Sequence, residues 1–401
     1  MITTDCQLCG SKKLSPIIDL GYHPLADTFL PRELLNEPEN TYPLVVLLCP
    51  DCGYATSKYI VDAPTRYQKV DYSYTSSNSA VAIRHFEEIA AEIIKELNIT
   101  EQDKVVDIGS NDGTLLQTFR VQTNCQIIGV EPAPNVIKLA AKNNIPTLPG
   151  FFDKENKEKI LQNGRAKAIT ANNVFNHITN LPEFMTNIAD LLTDDGAFVF
   201  EVPYLLDLVE MNAFDTIYLE HISYFGIKPL AQFFKKFNLQ VWRIERTEYM
   251  GGTVRVYVGK KNKNPKIAGQ QTKIETAAKI YEVKTYQTLT EKIREFKFNL
   301  CRQIFEIKSR GEKIIAIGAA TKGNTLLNYC KLDNTLMEFV TDNSPLKIGK
   351  FTPGSHIPIK SDADITPDIK YGLILPWNIG DFLKEKLKHL NLQFIIPKMK
   401  K

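Results

Sequence analysis

One run constrains the fold of this chain more than any other: Val105-Val106-Asp107-Ile108-Gly109-Ser110-Asn111-Asp112-Gly113-Thr114-Leu115-Leu116. Its β-branched, apolar start predicts a buried parallel strand. Gly109 and Gly113 predict a tight turn at which a ligand approaches the backbone without meeting a Cβ. A helix starts directly after it. A second strand, Gln126 to Val130, ends in Glu131, about 20 residues after the turn, where a carboxylate can accept both hydroxyls of a ribose. The pair predicts a nucleoside-containing ligand.

The turn does not have the G-x-G-x-x-G spacing of a dinucleotide site, because it reads G-x-x-x-G with Asp107 before it and Asp112 within it. Two carboxylates would repel a pyrophosphate, whereas they suit a cationic sulfonium. This motif resembles the first motif of the S-adenosylmethionine-dependent methyltransferases. The resemblance implies that Asp107, Gly109, Asn111, Asp112 and Gly113 hold the methionine part of that cofactor, with Glu131 and Pro132 at the ribose.

With 401 residues, 43% of them hydrophobic and 24% charged, the chain is long enough for two or three globular domains. A net charge of +3, with no basic block alternating with aromatics, argues against a nucleic-acid partner. No apolar run approaches the ~18 residues of a membrane span. Met1 to Asp5 lacks the features of a secretory signal, so the expected location is the cytoplasm. In that compartment seven cysteines predict metal ligands and core residues rather than disulfides.

Cys6-Gln7-Leu8-Cys9 and Cys49-Pro50-Asp51-Cys52 form two C-x-x-C knuckles, which predict four thiolates around one structural Zn²⁺. The stretch from Leu20 to Ala26 between them is expected to pack on a neighbour, with His23 a surface or capping residue. Tyr67 to Asn78, carrying Tyr72 and Tyr74, reads as a polar linker. Ser79 to Leu97 has helical apolar spacing from Val81 through Ile94. Apolar strands recur at 166–169, 196–202, 240–244 and 253–258 with helical stretches between several of them, which predicts a parallel, doubly wound sheet with its ligand at the carboxyl edge. Asn173 and its neighbours, at that edge, are expected to line the pocket; His177 is read as packed or capping.

Tyr218, Glu220, His221 and Tyr224 crowd into one short segment. A histidine there can act as a general base, oriented by its carboxylate and tyrosine neighbours. Arg255, in the strand after Gly251-Gly252, can pair with an anionic ligand or with glutamates of the fold. Lys260 to Lys266 reads as a solvated linker, and Ile274 to Ser309 as one long helix with a single apolar face. A second strand–turn–helix unit, Lys313 to Thr325, carries no acid in its turn and so suits a diphosphate; Asp342 follows at the next strand end.

In the order of these motifs the chain resembles the nucleotide-sugar C-methyltransferases, the deoxysugar 3-C-methyltransferases. The likeness rests on both cysteine pairs, V-D-I-G-S-N-D-G, Y-L-E-H-I-S-Y-F, G-G-T-V-R, and G-A-A-T-K-G-N-T-L-L with D-N-S-P-L-K-I-G-K-F-T-P-G. It implies an α/β protein with a zinc-binding module (1–75), a central class I methyltransferase, Rossmann-like doubly wound domain (76–262), a helical connector (263–310) and a smaller Rossmann-like α/β domain (311–401). It implies methyl transfer to carbon 3 of a nucleoside-diphosphate 4-keto-6-deoxy sugar, commonly a TDP sugar, through an enolate. His221 would be the base, with Glu220 and Tyr218 orienting it or stabilising the enolate, and Tyr72 or Tyr74 closing over the sugar. Tyr224, Arg255, Lys322, Asn324, Asp342 and Lys347 are the expected substrate contacts, in a monomer or homodimer. O- or N-methylation of a nucleotide sugar would use the same base. A non-catalytic interaction protein is disfavoured by the intact Asp107, Gly109, Gly113, Glu131 and His221.

Overall fold

The computed structural model describes residues 1–68 and 71–399. Lys69 and Val70, in the expected linker, and Lys400 and Lys401, at the end of the expected last domain, lie outside them. The molecule is an α/β protein of three sheets.

Val105, Val106 and Ile108 are buried in the strand Lys104–Ile108, the middle of the central seven-stranded sheet. From one edge its order is 240–247, 253–259, 192–203, 166–170, 104–108, 126–131, 147–149. The chain leaves strand 104–108 toward 126–131 on one side and returns to 166–170 on the other, both parallel to it. A cleft therefore opens at the carboxyl ends of 104–108 and 166–170. At the far edge the expected parallel arrangement gives way: Thr253–Gly259 runs antiparallel to both of its neighbours. The single turn Tyr249–Gly251 that precedes it is too short for a crossover helix, so the chain can only fold back as a hairpin.

Helix Ala80–Leu97 starts at Ser79, whose side chain accepts from the Ala82 N–H, and buries Ala82, Phe86, Ile89, Ala90, Ile93 and Leu97. Val81, expected on that stripe, instead borders the cleft. The long helix expected from 274 to 309 is two, Ile267–Ala277 and Val283–Ser309, broken where Lys279 adopts a left-handed conformation. The second buries Leu289 and Ile293 in the core shared by the first two domains and Leu300, Ile304 and Ile307 in that of the last domain, and so spans domains.

The last domain carries a five-stranded parallel sheet in the order 359–360, 340–341, 313–317, 369–374, 393–395. Its own reversal point lies between 313–317 and 369–374.

The N-terminal sheet has three antiparallel strands of its own, Ser15–His23, Tyr42–Leu48 and Ala55–Ser57. Its fourth is Ser223–Tyr224, from beyond the central sheet, with Ala55 opposite Tyr224 and Thr56 opposite Ser223. Ser57 N–H donates to the Ile222 carbonyl at 2.8 Å and Ser57 Oγ to that of His221 at 2.9 Å. The N-terminal module is thereby stitched to the segment that carries His221.

Candidate active site

Both reversal points open onto one cavity of about 960 Å³, walled by all three sheet-bearing parts of the chain. His221 lies between them. Its Nδ1 stands 2.8 Å from the Thr216 carbonyl, and a carbonyl only accepts, so Nδ1 carries the proton and Nε2 keeps its lone pair. The ring stacks on Tyr218, with centroids 3.7 Å apart, and meets His177 edge-on at 4.9 Å. Burial pushes its pKa down to about 3, so the imidazole is neutral near pH 7. Glu220 does not orient it. The Glu220 side chain turns away from the cavity, where Oε1 accepts the Asp27 N–H at 2.9 Å and Oε2 is buried without a partner.

Of the two linker tyrosines, Tyr72 belongs to this end. Its ring packs edge-on against Tyr67 at 5.6 Å, and Asn135 clamps its backbone through Oδ1 at 3.2 Å and Nδ2 at 2.9 Å. Tyr74 also borders the cavity, but its phenol pairs with Tyr249. Three groups here are not among the residues expected at the site, His177 being read from the sequence as packed or capping. Tyr67 holds Nδ1 of His177 at 2.5 Å, the Nε2 of His177 is buried without a partner, and Asp27 lines the wall beside Tyr72 and Tyr218. A short H-I-T-N turn and an N-terminal P-L-A-D carry no local mark of that convergence.

At the central sheet, Glu131 accepts one backbone N–H on each oxygen, from Asn111 and Ala133, both at 2.9 Å. Its plane is thus fixed, and each oxygen retains a lone pair for a diol. Burial raises both Glu131 and Asp107 to about 7; Thr170 Oγ1 donates to Asp107 at 2.6 Å. Gly109 sits at φ +66°, where a Cβ would come within 2.5 Å of Val174. Asn111, Pro132 and Asn173 line the same end, next to Asn172, whose amide nitrogen and oxygen are both buried and unpartnered. Asp112 and Gly113 do not line it. The Asp112 carboxylate accepts from Thr114 Oγ1 at 2.6 Å and from Ser77 N–H at 3.0 Å, which holds the helix start and the linker, and Gly113 at φ +83° packs on Ile145.

The opposite end belongs to the last domain. Gly318, at φ +81°, leads into helix Thr321–Cys330. Lys322 donates to the Met250 carbonyl at 3.2 Å and lies 4.6 Å from the Trp377 ring centre. Lys347 reaches the Ala319 carbonyl at 2.7 Å, and Asp342 accepts the N–H groups of Ala319 (2.9 Å) and Ser344 (2.7 Å).

Comparison with known proteins accounts for this layout. Residues 6–67 match the family model "Putative zinc binding domain", 82–244 "Methyltransferase domain" and 248–397 "C-methyltransferase C-terminal domain". The C-methyltransferase NovU of Streptomyces niveus is 30% identical over 409 residues, covering 98% of this chain and 95% of that one. The chain belongs to the C-methyltransferase family. Solved structures with likeness to it include an S-adenosylmethionine-dependent methyltransferase from Clostridium acetobutylicum (12% identity, 44% of this chain and 91% of that one, TM-score 0.36). Another is the magnesium protoporphyrin IX methyltransferase of Synechocystis (9% identity, 45% and 79%, TM-score 0.34).

This C-methyltransferase depends on S-adenosylmethionine, and the residues at the central-sheet end fit that cofactor. They offer a fixed carboxylate for the ribose, the orphaned Asn172 amide and the buried Asp107 for the cationic part. Its zinc module holds a cluster of four cysteines. Cys6 and Cys52, and Cys9 and Cys49, bring their sulfurs to 3.6 Å, and all four lie within 4.8 Å of one another. A tetrahedral site with Zn–S bonds of about 2.3 Å needs sulfur–sulfur edges of about 3.8 Å, so the set fits the ion with no position left open. His23 is no part of it. Rather than lying at the surface, it is buried, with Nε2 3.0 Å from the Leu20 carbonyl.

Three expected substrate contacts of the methyltransferase lie elsewhere. Arg255 is buried among carboxylates, with Nε 2.8 Å from Glu201, Nη1 3.0 Å from Glu245 and a further contact to Glu92, so its charge is already met within the fold. Tyr224 is buried in the strand that closes the zinc-module sheet. Asn324 turns outward from the cavity to hold the Ala26 carbonyl at 2.7 Å.

Proposed function

We propose that this C-methyltransferase acts on carbon 3 of a nucleoside-diphosphate 4-keto-6-deoxy sugar, TDP-linked or similar. The single supporting observation is the continuity of the cavity. A site for the methyl donor at Asp107, Asn111 and Glu131, a general base at His221, and a lysine-bearing anion site at Lys322 and Lys347 share one space. Nucleoside diphosphate at the far end would set the sugar beside His221. Asp342 fits the sugar or base of that nucleoside, and the N-terminus of helix Thr321–Cys330 favours the diphosphate.

In this reading His221 Nε2 takes the carbon-3 proton, acidified by the adjacent ketone, while the Thr216 carbonyl keeps the imidazole in the correct tautomer. Tyr218 and Tyr72 close over the ring. S-adenosylmethionine, when bound, supplies an electrophilic methyl group to the carbon nucleophile so formed. The buried, aromatic wall excludes water that would reprotonate carbon 3. Replacing His221 by Ala is expected to lower kcat by about 10²–10⁴-fold with cofactor binding intact. Solvent deuterium exchange at carbon 3 without methyl transfer separates this reading from O-methylation, and near-normal turnover by the His221 variant would sink the assignment of the base.

A further inference from the structure

Asp27 is the one carboxyl that the N-terminal module contributes to the cavity wall among the described residues. It is 8% exposed. Its carboxylate meets the Thr321 hydroxyl, its N–H donates to Glu220 Oε1 at 2.9 Å, and its carbonyl accepts from Ser73 Oγ at 3.3 Å. Glu220 and Ser73 thus fix the Asp27 backbone, and Thr321 of the last domain alone meets its carboxyl, on Oδ1. The ionisable groups around it are Tyr67, Tyr72 and Tyr74 from the linker side, Tyr218 and Glu220 from the His221 segment, and Lys347 from the last domain. Lys347 is engaged with Ala319 and, at 3.8 Å, with Asp342, and acts on Asp27 only from a distance.

Two neighbouring buried carboxyls, neither of them ion-paired with a cation among the described residues, disfavour each other's charged form; Arg66 meets the Glu220 carbonyl at 3.3 Å rather than either carboxyl. Glu220 has one oxygen on the Asp27 N–H and the other without a partner, and it faces away from the cavity. Asp27 faces into it. Burial raises the pKa of Asp27, and burial together with Asp27 raises Glu220 to about 7.

We propose that Asp27 takes part as a neutral carboxylic acid whose O–H is aimed at the ketone oxygen of the sugar, where it stabilises the enolate. This rests on the substrate class proposed above. When His221 Nε2 takes the carbon-3 proton, the C–H pair becomes the C3–C4 π bond and the carbonyl π pair moves onto oxygen. Asp27 shares its proton with that oxygen. As carbon 3 bonds to the methyl carbon that S-adenosylmethionine would supply, the methyl–sulfur bond would break with its pair left on sulfur, giving the neutral thioether S-adenosylhomocysteine. The enolate pair returns, the ketone re-forms, Asp27 keeps its proton and His221 releases its own to water. Tyr72 and Tyr218, whose ionisation burial pushes well above that of an ordinary phenol, are the weaker donors.

The test compares Asp27→Ala with Asp27→Asn, whose amide still donates but cannot ionise, in the zinc- and S-adenosylmethionine-loaded protein. Loss of one such donor is expected to lower kcat by about 10²–10³-fold in Asp27→Ala, with zinc content and cofactor Kd unchanged. Asp27→Asn should recover to within about tenfold of wild type and lose the alkaline fall in kcat that the ionising acid imposes on wild type. An Asn variant as inactive as Ala, or an Ala variant as active as wild type, overturns the proposal. An infrared difference spectrum, wild type minus Asp27→Asn at neutral pH without sugar, should contain a neutral carboxyl C=O band; a carboxylate band in its place also overturns it. If wild type exchanges no carbon-3 hydrogen in any 4-ketosugar nucleotide, the substrate class itself fails, whereas the infrared result still reports the state of Asp27.

Discussion

A histidine pinned by a carbonyl at Nδ1 and stripped of water stays neutral far into acid. His221 should therefore leave no mark on kcat near the ordinary imidazole pKa of about 6.5, and kcat at saturating cofactor should stay level as pH falls from about 7 to about 5. A titration there would reassign the base. Cofactor affinity should behave differently. Asp107 and Glu131 are raised to about 7 by burial, so both gain protons as pH falls through that value, and a cationic, ribose-bearing ligand favours their charged forms. The Kd for S-adenosylmethionine is expected to weaken below pH 7, by at most about tenfold per pH unit for each group, in calorimetric titrations. Glu131→Ala should weaken it at every pH. Asp107, Glu131 and His221 were legible in the sequence because each stands in a local pattern: a strand end, a fixed interval, a cluster of polar residues. Asp27 and His177 were not, because their chemistry arises from partners, Thr321 and Tyr67, that only the tertiary fold supplies.

At the scale of elements, hydrophobic periodicity was enough to find the strands of the central sheet except the short edge strand Thr147–Pro149, but not their direction. An apolar strand such as Thr253–Gly259 reads the same in parallel and antiparallel pairing, and only the one-turn connection at Tyr249–Gly251 decides. The interrupted helix has a comparable cause. Glu275 is buried, where it takes the Tyr204 hydroxyl at 2.7 Å, the Tyr281 hydroxyl at 2.5 Å and the Ile227 N–H at 2.5 Å, so the chain must turn shortly after it to bring Tyr281 back. A buried acceptor of that kind leaves no periodic trace. Helix Val283–Ser309 should be costly to weaken where it enters the last domain: Ile304→Ala is expected to lose about 2–5 kcal/mol, read from the denaturant midpoint, and Phe298→Ala, on the exposed side, less than about 0.5 kcal/mol.

For the whole molecule, the two reversal points, each in its own sheet, were foreseeable separately, and their meeting in one cavity was not, since it depends on how the domains pack. The metal is tied to that packing. Chelation, or Cys52→Ser, should release the four-cysteine cluster and with it the sheet that ends in Ser223–Tyr224, so kcat should fall more steeply than cofactor affinity. Equal loss of both would mean that the central domain unfolds along with the module.

Because the strand Ser223–Tyr224 is encoded far from the sheet it completes, the boundary drawn along the sequence is not the boundary in space. Anyone recombining relatives to change the acceptor would have to move residues 217–225 together with the N-terminal module. A chimera cut cleanly between modules would pair one parent's sheet with the other parent's closing strand, and His221 would inherit the mismatch.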